Sequence, residues 1–166
     1  MRLANLALLA AVLSAAPSFA AAQEAPPAPL PSVTLPPELD RVLRDYERAW
    51  AAGDEAAVAA LFTEDGFVLQ NGEPPVRGRE AIRRVYAPFD GPLRLRAMGY
   101  AAGDSVGYIV GGYRYGDAPQ DGGKFVLALR RAPGGQWMIA ADMDNSNQRP
   151  RRPPPAPAPA APPAPR

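Results

Sequence analysis

The chain of 166 residues contains no histidine and no cysteine. Without histidine it lacks the commonest general base at neutral pH, so Ser-His-Asp triads, His-Asp dyads and histidine-rich metal sites are excluded. Without cysteine it has no thiol nucleophile and no disulfide, so packing alone must hold the fold together. Gly107, Gly111 and Gly112 lie in a strand pattern, so no glycine-rich phosphate loop is predicted. We expect neither a cofactor nor a bound metal.

Residues 1–22 have the features of a secretory signal peptide. Arg2 precedes an apolar run from Leu3 to Leu13 that is too short to span a bilayer, and small residues up to Ala22 fit a cleavage site. The alternatives are a short buried helix or a retained membrane anchor. We expect export to the periplasm or the medium, with no transmembrane segment after cleavage.

Proline-rich segments flank the central part of the chain. Residues 23–35 are rich in proline and alanine and predict a stiff, extended linker. Residues 148–166 contain nine prolines and four arginines, which predicts a disordered or polyproline II tail. The tail is a solvated extension or contacts an acidic surface such as anionic lipid. Residues 36–147 then form one domain of ordinary size.

The charge is uneven along the chain. Residues 23–147 carry 13 basic and 17 acidic side chains, a net charge of −4, whereas the tail is basic. A mildly acidic domain argues against nucleic acid as its partner.

The central residues predict helices first. Apolar residues recur at helical spacing from Leu39 to Trp50, and Gly53-Asp54 ends this helix and begins a second one that reaches Phe62. Glu64-Asp65-Gly66 breaks the second helix, and Phe67 begins a strand.

Strands dominate the second half. A third helix is predicted from Arg79 to Tyr86, ended by Pro88. Four strands follow, at residues 93–100, 105–115, 124–131 and 136–143, and Gly111-Gly112 predicts a bulge or a sharp bend. This order is typical of an α+β fold with helices on one face of a curved antiparallel sheet.

Several short motifs match one known family. They are Tyr46, Trp50, Gly53-Asp54, Leu61-Phe62, Asp65-Gly66, Gly78 to Ile82, Gly123 to Phe125 and Trp137 to Met143. As a set they resemble the nuclear transport factor 2-like superfamily, most closely its SnoaL-like branch, over about residues 38–146. The Trp-x-Ile-Ala-Ala-Asp ending is similar to that of domains of unknown function in this branch.

The resemblance implies a cystatin-like cone, with three amino-terminal helices packed on a curved antiparallel sheet and a pocket between them. It also implies a homodimer formed through the sheet. It leaves function open, because isomerases, cyclases, dehydratases, hydrolases and non-catalytic binders share the fold.

Ketosteroid isomerase, a relative implied by this resemblance, uses one tyrosine and two acids. Tyr46 matches the position of that tyrosine. The base aspartate corresponds to about Gln70 and the second acid to about Leu127. An amide cannot titrate and leucine cannot donate a hydrogen bond, which argues against steroid isomerisation of that type.

The remaining acid–base candidates are Asp142 and Asp144, with Tyr46. Because residues two apart in a strand share a face, the two carboxylates could share a proton or hold a cation together with Asn145. The alternative is that Asp142 forms a salt bridge with Arg130 or Arg114 while Asp144 is solvated.

Strand parity bears on this choice. Trp137, Ile139, Ala141 and Met143 alternate as the apolar face of the last strand. Asp142 is therefore predicted to point away from that face, and from any pocket that lies on it.

Aromatic and amide side chains supply the candidate pocket lining, because a phenol or an indole combines apolar area with one polar group. The predicted ligand-binding residues are Tyr46, Trp50, Phe67, Gln70, Tyr86, Tyr113 and Asn145. Plain core packing is the alternative for each aromatic residue.

Two functions remain open. The first is an exported protein that binds a small apolar or aromatic molecule without catalysis, and the missing histidine and Gln70 favour it. The alternative is a small isomerase, cyclase or hydrolase that uses Tyr46 and an aspartate. A carboxylate within reach of the cavity that Tyr46 faces would distinguish them.

Overall fold

The computed structural model describes residues 30–86 and 91–148. The predicted signal peptide, most of the linker, Pro88 and nearly all of the tail lie outside the described residues. The elements, in chain order, are α1 (Pro37–Ala51), α2 (Glu55–Ala60), β1 (Phe62–Leu69), β2 (Val76–Arg77), α3 (Arg79–Tyr86), β3 (Leu93–Ala102), β4 (Val106–Tyr115), β5 (Gly123–Arg130) and β6 (Met138–Ser146).

The α+β prediction is confirmed. The strands form one curved six-stranded sheet in the order β2-β1-β6-β5-β4-β3. Every neighbouring pair is antiparallel except β1 and β6, which are parallel. The prediction of an antiparallel sheet therefore holds for all pairs but this one. The helices cover one face of it, called the inner face here, to which Phe125, Leu127 and Ile139 contribute buried side chains.

The helix signals in the sequence operate as predicted. Pro37 begins α1, where a missing backbone N–H costs nothing. Gly53 follows α1 with a φ of 63°, a conformation that glycine adopts without strain. The Asp54 side chain then accepts a 2.8 Å hydrogen bond from the Ala57 N–H and caps α2.

The start of β1 is earlier than predicted. Phe62 is the first residue of the strand rather than the end of the second helix. The register with β6 shifts between Phe62 and Phe67, so Glu64-Asp65-Gly66 forms an irregular stretch within one strand rather than a break between elements. The two-residue strand β2 pairs with this strand and has no clear sequence signal.

The bulge predicted at Gly111-Gly112 lies on the neighbouring strand. The β3–β4 register shifts between Ala97 and Gly99, so Met98 is the extra residue. Gly111 instead allows close packing, because a Cβ there would lie 2.2 Å from the ring of Phe125.

A second bulge reverses the parity of β6, and the prediction that Asp142 points away from the buried face is wrong. Leu129 pairs with Ile139 and Ala128 pairs with Ala141, which leaves Ala140 as an extra residue. Ile139 and Asp142 are therefore both buried, while Met143 is exposed.

Residues of α1 satisfy the free edge of β3. The Glu47 carboxylate accepts a 2.6 Å hydrogen bond from the Leu95 N–H, and the Arg44 guanidinium donates at 2.7 Å to the Leu95 carbonyl. Arg44 and Glu47 also pair with each other, and the Val33 N–H donates to the Ala97 carbonyl at 2.9 Å. Because β3 ends the sheet, these backbone groups have no strand partner on that side.

We expect Glu47→Ala to lower the free energy of unfolding by about 2–4 kcal/mol, because it removes a buried carboxylate, leaves the Leu95 N–H without its acceptor and takes one charge partner from Arg44. Urea unfolding measures the loss. Glu64→Ala, at an exposed position, is the matched control and should change stability by under about 0.5 kcal/mol. Equal losses in the two variants would contradict this role of Glu47.

Candidate functional site

A cavity of about 310 Å³ lies between the helices and the inner face of the sheet. The side chains come from α1, α3, the segment after β1, and strands β3 to β6. They are Tyr46, Trp50, Gln70, Asn71, Glu73, Tyr86, Leu93, Leu95, Tyr113, Tyr115, Phe125, Leu127, Asp142, Asp144 and Ser146.

Aromatic rings form much of the wall. Tyr46 and Trp50, one helical turn apart on α1, are stacked with ring centroids 6.2 Å apart. Tyr86 meets both rings edge-on, at 6.2 Å and 5.7 Å. Tyr113 and Tyr115 of β4 pack edge-on at 5.7 Å. Such walls present extended apolar area together with polar ring edges.

Two phenols meet one carboxylate at the buried end of the cavity. The Tyr46 hydroxyl lies 3.0 Å from Oδ2 of Asp142 and 2.9 Å from the Tyr86 hydroxyl, and the Tyr86 hydroxyl lies 3.4 Å from the same Oδ2. Each phenol has one proton to donate, so the two together supply at most two hydrogen bonds to these three contacts. The shorter distances favour a chain in which Tyr86 donates to Tyr46 and Tyr46 donates to Asp142.

Asp142 is unusual for a carboxylate because only 6% of its surface is exposed. Burial, then the nearby Asp144 charge, raises its pKa to about 7, although the phenol hydrogen bonds oppose the rise. Its Oδ1 is buried and has no hydrogen-bond donor among the residues that the structure describes. Asp142 can therefore gain or lose a proton near neutral pH.

The cavity tyrosines and Asp144 have raised pKa values for the same physical reasons. Burial raises the pKa values of Tyr46 and Tyr86 well above the ordinary tyrosine value, and the Asp142 charge adds to both. Burial also raises the pKa of Tyr113 to about 12 and raises the pKa of Asp144. The phenols therefore remain protonated donors throughout the neutral range.

The cavity brings together most of the predicted site residues. The lining includes Tyr46, Trp50, Gln70, Tyr86, Tyr113, Asp142 and Asp144. Phe67 and Asn145 are not part of it. Phe67 lies under the Arg77 guanidinium, 5.2 Å from its ring centroid, and Asn145 is exposed and donates to the Asn71 side chain.

The alternative of a structural salt bridge for Asp142 is not what the structure has. Arg130 pairs with Asp65, and no ion pair of Asp142 occurs within residues 30–86 and 91–148. The Tyr46–Asp142 contact depends on the Ala140 bulge, which sequence parity alone does not reveal.

Sequence reasoning did not assign Glu73, Ser146 and Phe125 to the site. Phe125 follows from the alternation of β5, whose inward residues are buried. Glu73 lies in the exposed segment after β1, and no pattern in the sequence connects it to the cavity.

The described residues contain no group of three or more acidic side chains, histidines or cysteines that is arranged to hold a metal ion. No helix in the same ranges is long and apolar enough to cross a membrane.

The raised pKa of Asp142 makes stability depend on pH. Between pH 4 and 7 the folded chain keeps a proton on Asp142 that the unfolded chain releases, so this contribution is full below pH 4 and is lost as the pH rises through about 7. Over that window the wild type should lose stability relative to Asp142→Asn, by an amount on the order of 4 kcal/mol. Urea unfolding at several pH values measures it, with Asp104→Asn as the exposed control. Parallel curves for wild type and Asp142→Asn would show that this pKa is not raised.

Solved structures of low sequence identity share this architecture. A ketosteroid isomerase-like protein from Erwinia carotovora atroseptica superposes with a TM-score of 0.54 at 16% identity, covering 66% of this chain and 94% of that one. An NTF-2-like protein of unknown function from Shewanella oneidensis gives 0.55 at 20% identity, covering 64% and 95%. An NTF2-like protein with a cystatin-like fold from Novosphingobium aromaticivorans gives 0.53 at 17%, covering 66% and 80%.

At these identities the likeness shows the fold alone. No protein of curated function matches the sequence. The family model for the SnoaL-like domain matches residues 43–132, more than half of the chain and most of the elements that form the cavity. The chain therefore belongs to the SnoaL-like family of the NTF2-like superfamily.

Proposed function

We propose that the cavity binds a small, largely apolar or aromatic molecule, and that the chain works as an exported binding protein. The observation that carries the proposal is Asp142, a buried carboxylate at the inner end of an aromatic cavity whose Oδ1 has no donor among the described residues. Buried polar atoms are nearly always hydrogen-bonded, and a polar group of a ligand would satisfy this one.

The walls support an apolar ligand body. Leu93, Leu95 and Leu127 join the aromatic rings along the sheet side, while the exposed Asn71 and Glu73 form a polar rim. A few polar groups within a mostly apolar lining fix orientation while the walls supply affinity. A volume near 310 Å³ suits a small molecule rather than a long chain or a peptide.

Acid–base catalysis is the second candidate, because Asp142 has a pKa of about 7 beside two phenols. A carboxyl with that pKa can take a proton from a bound substrate and return it at another atom. This is the chemistry of the isomerase, cyclase or hydrolase alternative, with Tyr46 holding Asp142 in place. Leu127, which matches the position of an acid in ketosteroid isomerase, lies directly opposite Asp142 on the neighbouring strand.

Ligand-dependent melting tests the binding proposal on the chain from Gln23 to Arg166. A panel of neutral apolar and aromatic alcohols and ketones should contain compounds that raise the melting temperature, with about 3 kcal/mol of stabilisation at a hundredfold excess over the dissociation constant. Tyr46→Phe should weaken that effect, because it removes the hydroxyl that contacts Asp142. Tyr100→Phe, outside the cavity lining, is the matched control.

No shift with any compound of the panel, and none with an organic cation of similar size, would contradict the binding proposal. The same samples, examined by NMR for substrate conversion, test the catalytic candidate. Conversion by the wild type that disappears in Asp142→Asn, and that rises with an apparent pKa near 7, would make the chain an enzyme.

We also propose that the chain forms a homodimer through the outer face of the sheet. Val106, Tyr108, Val126 and Met143 are exposed on that face. Val126 and Met143 are register partners on adjacent strands, so they form a continuous apolar surface of the kind that marks protein contacts.

Sedimentation equilibrium should give twice the monomer mass for the wild type and the monomer mass for Val126→Lys combined with Met143→Lys, because two buried ammonium groups oppose association. Ala56→Lys, at an exposed position of α2, should remain dimeric. A monomeric wild type at micromolar concentration would contradict the proposed dimer.

Export to the periplasm or the medium remains part of the proposal. Amino-terminal sequencing of the protein recovered from the cell envelope and the medium should find Gln23 as the first residue. Recovery of the chain only with Met1 intact would contradict export.

A further inference from the structure

We propose that the polar group recognised by this cavity is an organic cation, a protonated amine or a quaternary ammonium group held against Asp142 and Asp144. This inference rests on the cavity being a binding site and names the class of ligand that it takes. Four observations carry it: the charges of the lining, the unpartnered oxygen, the aromatic walls and the spacing of the carboxylates.

The charges of the lining all have one sign. Glu73, Asp142 and Asp144 are acidic, and the lining contains no lysine or arginine. None of the three takes part in an ion pair within residues 30–86 and 91–148, although the arginines of α1, α3 and β3 pair with other carboxylates there. The cavity thus combines unpaired negative charge with walls of low polarity, where electrostatic attraction to a cation is strongest.

The unpartnered oxygen supplies an independent indication. Oδ2 of Asp142 accepts a hydrogen bond from the Tyr46 hydroxyl, whereas Oδ1 has no donor among the described residues. Burying an ionised carboxylate is costly unless it is paired. A cation at Oδ1 supplies the opposite charge, and a protonated amine adds a hydrogen-bond donor that Oδ1 can accept.

The walls suit a cation as well as an apolar body. The rings of Tyr46, Trp50, Tyr86, Tyr113 and Tyr115 all line the cavity. The face of an aromatic ring carries partial negative charge and attracts ammonium groups, and this attraction is strongest where water is excluded. Several rings around one acidic group are the arrangement that recognises quaternary ammonium compounds.

The spacing of the carboxylates argues for an organic cation rather than a metal ion. The described residues contain no cluster of three or more acidic side chains within metal-binding reach. Asp142 and Asp144 lie two residues apart on the inner face, opposite Leu127 and Phe125, and Glu73 lies at the rim. A bulky cation with diffuse charge can contact such dispersed groups, whereas a divalent metal needs its oxygen ligands together.

Other ligand charges fit less well. An anion would lie beside unpaired carboxylates of the same sign, which is repulsive. A neutral ligand would leave both Asp142 and Asp144 without a counter-charge. The titratable groups that line the cavity with Asp142 are Tyr46 from α1, Tyr86 from α3, Tyr113 and Tyr115 from β4, Asp144 from β6 and Glu73 from the segment after β1. The tyrosines are neutral below pH 8, so the charge of the cavity changes there only through its carboxylates.

Isothermal titration calorimetry with two compounds of the same shape tests the inference. Phenyltrimethylammonium carries the charge, and tert-butylbenzene is its neutral isostere. At pH 8 we expect the cation to bind at least about tenfold more tightly. At pH 5.5, where Asp142 is mostly protonated, the affinity for the cation should fall about tenfold or more, while that for the isostere should stay within about threefold.

Variants assign the effect to residues. Asp142→Asn should lower the affinity for the cation about tenfold or more and leave the affinity for the neutral isostere within about threefold of the wild type. Asp144→Asn, at a half-buried site, should weaken binding of the cation to a smaller extent. Asp104→Asn removes the same charge from the exposed turn between β3 and β4 and should change neither affinity.

The outcomes separate this inference from the proposed function. Equal or tighter binding of tert-butylbenzene, or binding of the neutral melting panel without binding of phenyltrimethylammonium, would overturn the cation assignment and leave the binding site. No binding of either compound or of any panel member would overturn both. Tight cation binding that is unchanged in Asp142→Asn and Asp144→Asn would place the charge elsewhere and overturn the assignment.

Discussion

The burial of the Asp142 carboxylate is the constraint on which the cavity depends. A carboxylate with 6% of its surface exposed must be neutralised or hydrogen-bonded, and α1 and α3 each direct one phenol at it. The bulge at Ala140 turns Asp142 inward. Without this extra residue in β6, the next residue, Met143, would point toward the helices and Asp142 would point away from them. The aromatic side chains around it complete a site in which charge and apolar surface lie together.

The helices have two tasks in this arrangement. Their apolar stripes cover the sheet, with Leu39, Leu43 and Ile82 fully buried against it. Farther along the same face of α1, Tyr46 and Trp50 belong to the buried core and also line the cavity. The hydroxyls of Tyr46 and Tyr86 are therefore positioned by well-packed helices rather than by mobile loops, which keeps the contact with Asp142 geometrically defined.

Much of the fold could be predicted from the sequence, because the signals are local. Helical spacing, Gly53-Asp54 and the alternation of the later strands locate α1, α3 and the four-strand meander correctly. The site was only partly predictable. Tyr46, Trp50 and Tyr86 follow from helix faces, whereas the orientation of Asp142 depends on how β5 and β6 align across the bulge. That alignment is set by pairing between strands, and a one-residue offset sends every later side chain to the opposite face. Glu73 lines the cavity without having been predicted and Phe67 was predicted to line it but does not, since neither the segment after β1 nor the irregular part of that strand has a simple period.

The hydrogen bonds that cover the free edge of β3 have a consequence for how copies of this domain can associate. The Arg44 and Glu47 side chains form hydrogen bonds with the outward carbonyl and N–H of Leu95. The Val33 N–H donates to the next outward carbonyl, that of Ala97. A further chain cannot add itself to the sheet at these positions without first displacing a charged pair. Growth into the continuous, ribbon-like stacks that lead to fibrils is thereby opposed at the edge where an exposed strand would invite it.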